Sequence, residues 1–76
     1  MNSPKEIGEY IKQLRKLKGL TQANVAEHIG IKSSTYAQFE TGRTNMTLAT
    51  INRIADVLGY DLQVSFTLKK PNKSKE

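Results

Sequence analysis

Single glycines cut this chain into short lengths of helix, and that punctuation limits the possible folds more than any other feature. On each side of a glycine, apolar residues recur at helical spacing. Ile7, Ile11, Leu14 and Leu17 are separated by four, three and three residues, which predicts a first helix with one buried face. Ser3 followed by Pro4 suits an N-cap and a first-turn proline. Lys16 and Lys18 suit the negative end of the helix dipole, and Gly19 stops the helix. Thr21 then caps a second helix with Val25, Ala26 and Ile29 inward and Gly30 as its stop. Ile31 follows as a buried hinge. A third helix is expected from about Ser33 to Glu40, with Tyr36 and Phe39 inward and Thr41-Gly42 closing it. After a polar turn over 42–47, Thr47 caps a fourth helix. Its inner face is Leu48, Ile51, Ile54, Ala55 and Leu58, and Gly59 ends it. Past Gly59 the period changes to two. Leu62, Val64, Phe66 and Leu68 alternate with Gln63, Ser65 and Thr67, the pattern of a strand with one buried face. The expected fold class is therefore mainly α: four short helices in a bundle, then one β-strand.

Composition narrows the function. A chain of 76 residues allows one small domain with a thin margin of stability. It has no cysteine and one histidine, His28, which excludes a disulfide scaffold, a zinc finger and a thiol nucleophile. No apolar run approaches the roughly 18 residues of a membrane span, and the start of the chain lacks a signal-peptide pattern. A cytoplasmic domain without a membrane partner is expected. His28 and Tyr10 have no carboxylate at catalytic spacing. Gly8, Gly19, Gly30, Gly42 and Gly59 stand singly at element ends, so none forms a phosphate-cradling loop. No enzyme, no metal and no cofactor are expected. The net charge is +5, but Lys69, Lys70, Lys73 and Lys75 against Glu76 put more than half of it in a polar tail over 69–76. That tail reads as a solvated, disordered end, or as a flexible arm reaching phosphate.

Helices two and three are the informative pair. Two short helices joined by a glycine-containing turn have the arithmetic of a helix-turn-helix, which sets its second helix in a DNA major groove. Gln22 stands at the start of helix two, where free backbone N–H groups and the dipole favour a phosphate. Ser33, Ser34, Thr35 and Gln38 fall on the side of helix three opposite Tyr36 and Phe39. Arg43, Thr44 and Asn45 lie in the turn before helix four, beside its N-terminus.

The residues themselves then point to a family. Thr21-Gln22, Val25-Ala26, Ile29-Gly30-Ile31, Ser34-Thr35, Glu40, Gly42, Leu48 and Leu58-Gly59 occur in the order found in the Cro and lambda-type repressors, also called the xenobiotic-response-element family. Together with Leu14-Arg15, residues 7–60 resemble that family. The resemblance implies a lambda-repressor-like bundle and double-stranded DNA as partner. It makes Ser33, Ser34, Thr35 and Gln38 the base- and phosphate-reading positions, with Gln38 and Ser33 on base edges and Ser34 or Thr35 on phosphate. It implies that Gln22 bonds a phosphate or braces a recognition-helix side chain, and that Arg43, Thr44 and Asn45 hold the DNA backbone, Arg43 above all. Lys32 stands where many members carry a serine or threonine N-cap, so it is a candidate for a phosphate instead. Arg15 and Glu40 are implied to form a structural ion pair.

The strand implies a second chain. One strand with two open edges is not stable alone, and nothing else in the sequence pairs with it. Leu62, Val64, Phe66 and Leu68 are therefore expected to meet the same strand of a twin in a two-stranded ribbon. The competing expectation is an apolar tail folded along helix one or four. Helices followed by such a strand resemble the HipB-type antitoxins, whose strand makes the dimer and which repress their own operon while binding a kinase-like toxin. The domain plan is residues 1–60 for DNA, 61–68 for dimerisation and 69–76 as basic tail. The expected function is a homodimeric repressor on an inverted repeat, with an antitoxin role. The alternatives are a solitary prophage or restriction-modification regulator, or a protein-interaction module that has lost DNA binding.

Overall fold

A computed structural model describes residues 3–70. Four helices follow one another in it: α1 Pro4–Lys18, α2 Gln22–Ile29, α3 Ser33–Thr41 and α4 Leu48–Leu58. Three of them start on side-chain caps. The Glu6 N–H donates to Ser3 Oγ at 3.2 Å, and the Thr50 N–H donates to Thr47 Oγ1 at 3.1 Å. At α2 the capping is reciprocal, because Asn24 N–H donates to Thr21 Oγ1 and Thr21 N–H donates to Asn24 Oδ1, both at 3.0 Å. Helix α3 starts after Lys32, whose side chain makes no cap bond. The last helical residues are followed by Gly19, Gly30, Gly42 and Gly59.

The core lies where the four helices meet. Ile11, Val25, Ala26, Ile29, Tyr36, Phe39, Ile54 and Leu58 fill it, with Ile7, Leu14, Leu20, Ile31, Met46 and Val57 partly buried around them. Burying side chains of this size contributes about 1.5–3 kcal/mol each, which is how so short a chain offsets its ordering entropy. From α4, the Arg53 guanidinium donates to the Ile29 carbonyl and so satisfies an end group of α2.

Several expectations need correction. Gly8 is not at an element end. It is buried inside α1, and a Cβ there would sit 2.3 Å from the Phe39 carbonyl oxygen and 2.6 Å from that of Glu40. Glycine lets the backbones of α1 and α3 touch. The same approach recurs at Gly42, whose φ is +78° and where a Cβ would lie 2.5 Å from Lys5 Cα. Leu17 is 81% exposed rather than inward. Steps of three residues drift around a helix of 3.6 per turn, and by Leu17 the stripe has left the core-facing side, where Arg15 stands instead. Leu48 is 61% exposed, since it sits in the first turn of α4, beyond the reach of the buried cluster. Ile31 is half-buried, not buried.

The expected strand is not formed within the single chain: among the described residues there is none. A ladder needs a second strand, and the four helices offer no edge. Leu62 is half-buried beside Ile7, Tyr10, Leu48 and Ile51 in a groove between α1 and α4, whereas Phe66 and Leu68 are 99% and 97% exposed. The stretch 71–76 of the expected basic tail lies outside the described residues. No helix among the described residues is long and apolar enough to cross a membrane.

Candidate nucleic-acid interface

The site is built on the α2–α3 junction. Ile31 N–H donates to the Ala26 carbonyl at 3.0 Å and Gly30 N–H to that of Glu27 at 3.2 Å, which closes α2 and sends the chain into α3. Val25, Ala26 and Ile29 on one side, with Tyr36 and Phe39 on the other, then lock the two helices together. Because Tyr36 and Phe39 face inward, the opposite side of α3 is left to solvent. Ser33, Ser34 and Gln38 are exposed there, and Thr35 is half-buried at its margin. Lys32 is exposed at the start of the helix. With no side-chain acceptor from Lys32, the first-turn amides of α3 keep their donors for an outside acceptor.

The turn after α3 is tied to one residue. Arg43 N–H and Thr41 Oγ1 both donate to the Gln38 carbonyl, at 3.0 and 3.1 Å, and Thr44 Oγ1 donates to the Gln38 side-chain oxygen at 3.1 Å. Arg43 and Asn45 are exposed and Thr44 half-buried. Lys32 and Arg43 thus flank an outer surface of hydroxyls and amides, and no acidic side chain stands among these positions.

The same helix carries a buried polar cluster at its other end. Arg15 Nε donates to Glu40 Oε2 at 2.6 Å, Arg15 Nη2 to Glu40 Oε1 at 3.1 Å and Arg15 Nη1 to the Leu20 carbonyl at 2.8 Å. Gln22 Nε2 adds a further bond to Glu40 Oε1 at 3.0 Å, so the first residue of α2 braces the far end of α3. Burial alone would raise the Glu40 pKa, but hydrogen bonds led by Arg15 outweigh it and hold the carboxyl below its ordinary value. The Glu40 hydrogen bond raises Arg15 above its ordinary value despite desolvation. The Tyr36 hydroxyl is buried in the field of this pair with no hydrogen bond of ordinary geometry, and burial and then Glu40 push its pKa up. Among the described residues no cluster of three His, Cys, Asp or Glu side chains could hold a metal ion.

Three connections escaped the sequence reading: the Gly8 contact, the Arg53 cap and the Thr44–Gln38 bond, whereas the Gln22 bond to Glu40 is the brace on a helix-three side chain that the resemblance implied as one of two roles. Only Gly8 carried a signal, because a glycine between Ile7 and Ile11 weakens a helix unless a close approach needs it.

A helix locked by its apolar side across a preceding short helix, with its other side polar and open, defines a helix-turn-helix protein. The helix-turn-helix family model matches residues 11–64, and the chain belongs to that family. The antitoxin HipB of Escherichia coli strain K12 is 36% identical over 66 residues, which span 87% of this chain and 70% of that protein. A prophage-derived helix-turn-helix transcriptional regulator of Bacillus subtilis strain 168, YonR, is 32% identical over 82% of the chain and 56% of its own length. The immunity repressor of Bacillus phage phi105 is 39% identical over 78% of the chain, but the match spans only 40% of the repressor. Among solved structures, a HipA–HipB–O2–O3 complex aligns with a TM-score of 0.73 at 32% identity, covering 90% of this chain and 96% of the other. A HipB–O4 20mer complex aligns equally well, at 31% identity. These relatives are regulators and antitoxins rather than enzymes.

Proposed function

We propose that the chain is a transcriptional repressor that binds duplex DNA as a homodimer and serves as the antitoxin of a toxin–antitoxin pair, repressing its own operon in the cytoplasm. The observation that carries this reading is the outer side of α3. Ser33, Ser34 and Gln38 are open to solvent on a helix whose other side is locked into the core. Ser33 and Gln38 meet base edges, while Ser34, Thr35, Lys32 and Arg43 meet phosphate, with Thr44 and Asn45 completing the turn's grip on the backbone. Gln22 acts by bracing Glu40 at 3.0 Å and by presenting its remaining amide N–H to a phosphate. Repression follows from occupying the promoter and needs no cofactor.

The dimer follows from what one chain leaves uncovered. Tyr10, Leu48, Val64, Phe66 and Leu68 are all exposed large apolar residues along or just beyond the α1–α4 groove. A second copy pairing through residues 61–68 covers them and supplies the missing ladder, with 1–60 as the DNA-binding unit and 69–76 as a basic tail beyond the ribbon. Two-fold symmetry then sets two α3 helices about 34 Å apart, one turn of an inverted repeat. The HipA named beside HipB in one of the similar complexes supports a toxin of that kind, kinase-like by the family resemblance, as the further partner. The match to a phage immunity repressor favours the second reading, a solitary regulator.

Sedimentation equilibrium tests the proposal in one design. The intact chain is expected as a dimer at micromolar concentration, and as two chains per duplex on its own upstream region. Phe66→Glu is expected to be a folded monomer with weaker DNA binding, because Phe66 touches nothing within its own chain that folding needs. A monomeric intact chain contradicts the dimer. An intact dimer that ignores the duplex contradicts the repressor.

A further inference from the structure

We propose that α1 adds a strip of its own to the DNA interface: Lys5 and Lys12, which share a groove with Gln22 and Thr41, each hold a backbone phosphate of the duplex that α3 reads. The inference rests on the DNA-binding reading above and extends its footprint to two side chains outside the helix-turn-helix.

The groove lies between α1, the first residue of α2 and the last residues of α3, and it is lined by Lys5, Glu9, Lys12, Gln22, Glu40 and Thr41. It continues the reading surface. Ser34, Gln38 and Thr41 follow one another at steps of four and three, so they share one side of α3, and all three are exposed. Gly42 then packs so tightly on α1 that a Cβ would lie 2.5 Å from Lys5 Cα, and exposed Arg43 is the next residue. Lys5 thus stands by the turn that carries Arg43, and Lys12 shares its groove with Gln22. Charge decides what the groove takes. Arg15 neutralises Glu40, which leaves two lysines against Glu9. Neither lysine is ion-paired among the described residues, so both charges are available to an anion from outside. Lys12 is also half-buried, which limits the rotamer freedom it must give up on meeting a phosphate. Seven residues set the two lysines roughly 10 Å apart along α1. That separation suits two phosphates of one strand better than a single one. Glu9, between them in the sequence, opposes the same phosphates.

The test uses the intact chain and a duplex it selects from a random pool, with affinity measured across a salt series. Lys5→Ala and Lys12→Ala are each expected to weaken binding about fivefold per bound chain, the upper range for an exposed charge contact. Each is also expected to lower the slope of log K against log salt by about 0.9 per bound chain. Lys12→Arg keeps the charge and is expected to keep both affinity and slope. Glu9→Gln is expected to tighten binding, because it removes a repulsion. Lys18→Ala loses the same charge beside Gly59, outside the groove, and is expected to stay within about twofold of the wild type. Phosphate ethylation then places the contact: modifying the phosphate that Lys12 holds weakens the wild type and leaves Lys12→Ala unaffected. An unmoved slope in either alanine variant, an equal fall in Lys18→Ala, weaker binding by Glu9→Gln, or an ethylation pattern shared by the wild type and Lys12→Ala overturns the proposal. A wild-type chain that binds no duplex overturns the DNA-binding reading with it, so the two failures are told apart.

Discussion

Glu40→Ala is expected to lower the melting temperature by at least roughly 10 °C. Removing one partner of a buried ion pair costs about 3–5 kcal/mol, and in a domain of this size each kcal/mol shifts the midpoint by about 4–8 °C. The cost arises because the Arg15 guanidinium stays in place, 9% exposed, with its donors to Glu40 unmet, and because Gln22 Nε2 loses its acceptor as well. The effect depends on pH in a fixed direction. The folded state depresses the Glu40 pKa below its ordinary value of 4.5, so its contribution is fully present above pH 4.5 and is lost as pH falls through the lower folded value. Melts of wild type and Glu40→Ala, followed by circular dichroism, should differ most near neutrality and converge in acid. Equal melting temperatures at pH 7, or a gap that widens in acid, would contradict the role given to this pair.

Gly8→Ala is the second large effect, and it runs against ordinary helix propensity. In an open helix interior the change gains about 1 kcal/mol. Here the new methyl would meet the Phe39 and Glu40 carbonyl oxygens at 2.3 and 2.6 Å, and both are backbone atoms that cannot rotate aside. Helix α1 must lift from α3, which loosens Ile11 against Phe39 and stretches the Arg15–Glu40 pair. Overpacking of this kind costs about 1–3 kcal/mol and sometimes more. The net expectation is a fall of roughly 10 °C, deepened in Gly8→Val, with the helical spectrum retained below the transition. A Gly8→Ala chain that melts at or above the wild type would show that the two helices have room to spare.

These two sites mark where the sequence was readable and where it was not. Caps and stops could be placed from residue type alone: Ser3, Thr21 and Thr47 each accept a first-turn amide, and a glycine follows each helix. Such signals are local, so no tertiary knowledge is needed. Periodicity placed Val25, Ile29, Tyr36, Ile54 and Leu58 inward for the same reason. It failed at Leu17 and Leu48, which continue the apolar spacing past the end of the surface that one chain can cover. Gly8 was misread because a stop signal and a contact signal are the same letter. The C-terminal alternation from Leu62 to Leu68 has the period of a strand, yet a strand is a property of two segments, and one chain supplies only the first. At the interface, the outward position of Ser33, Ser34 and Gln38 follows from helix geometry. The Thr44–Gln38 bond joins residues whose proximity is set by how the turn packs, and no spacing rule reaches it, whereas the Gln22–Glu40 brace was implied by the family resemblance and not by spacing.

On the proposed function, the outer side of α3 rests on a duplex. Backbone amide shifts of the intact protein, recorded by NMR during titration with a duplex it selects, test this most directly. The largest changes are expected at Gln22, at Ser33 to Gln38 and at Arg43 to Asn45, all weakening together as salt is raised. Changes confined to the α1–α4 groove and residues 61–68, with the α3 amides unmoved, would contradict it.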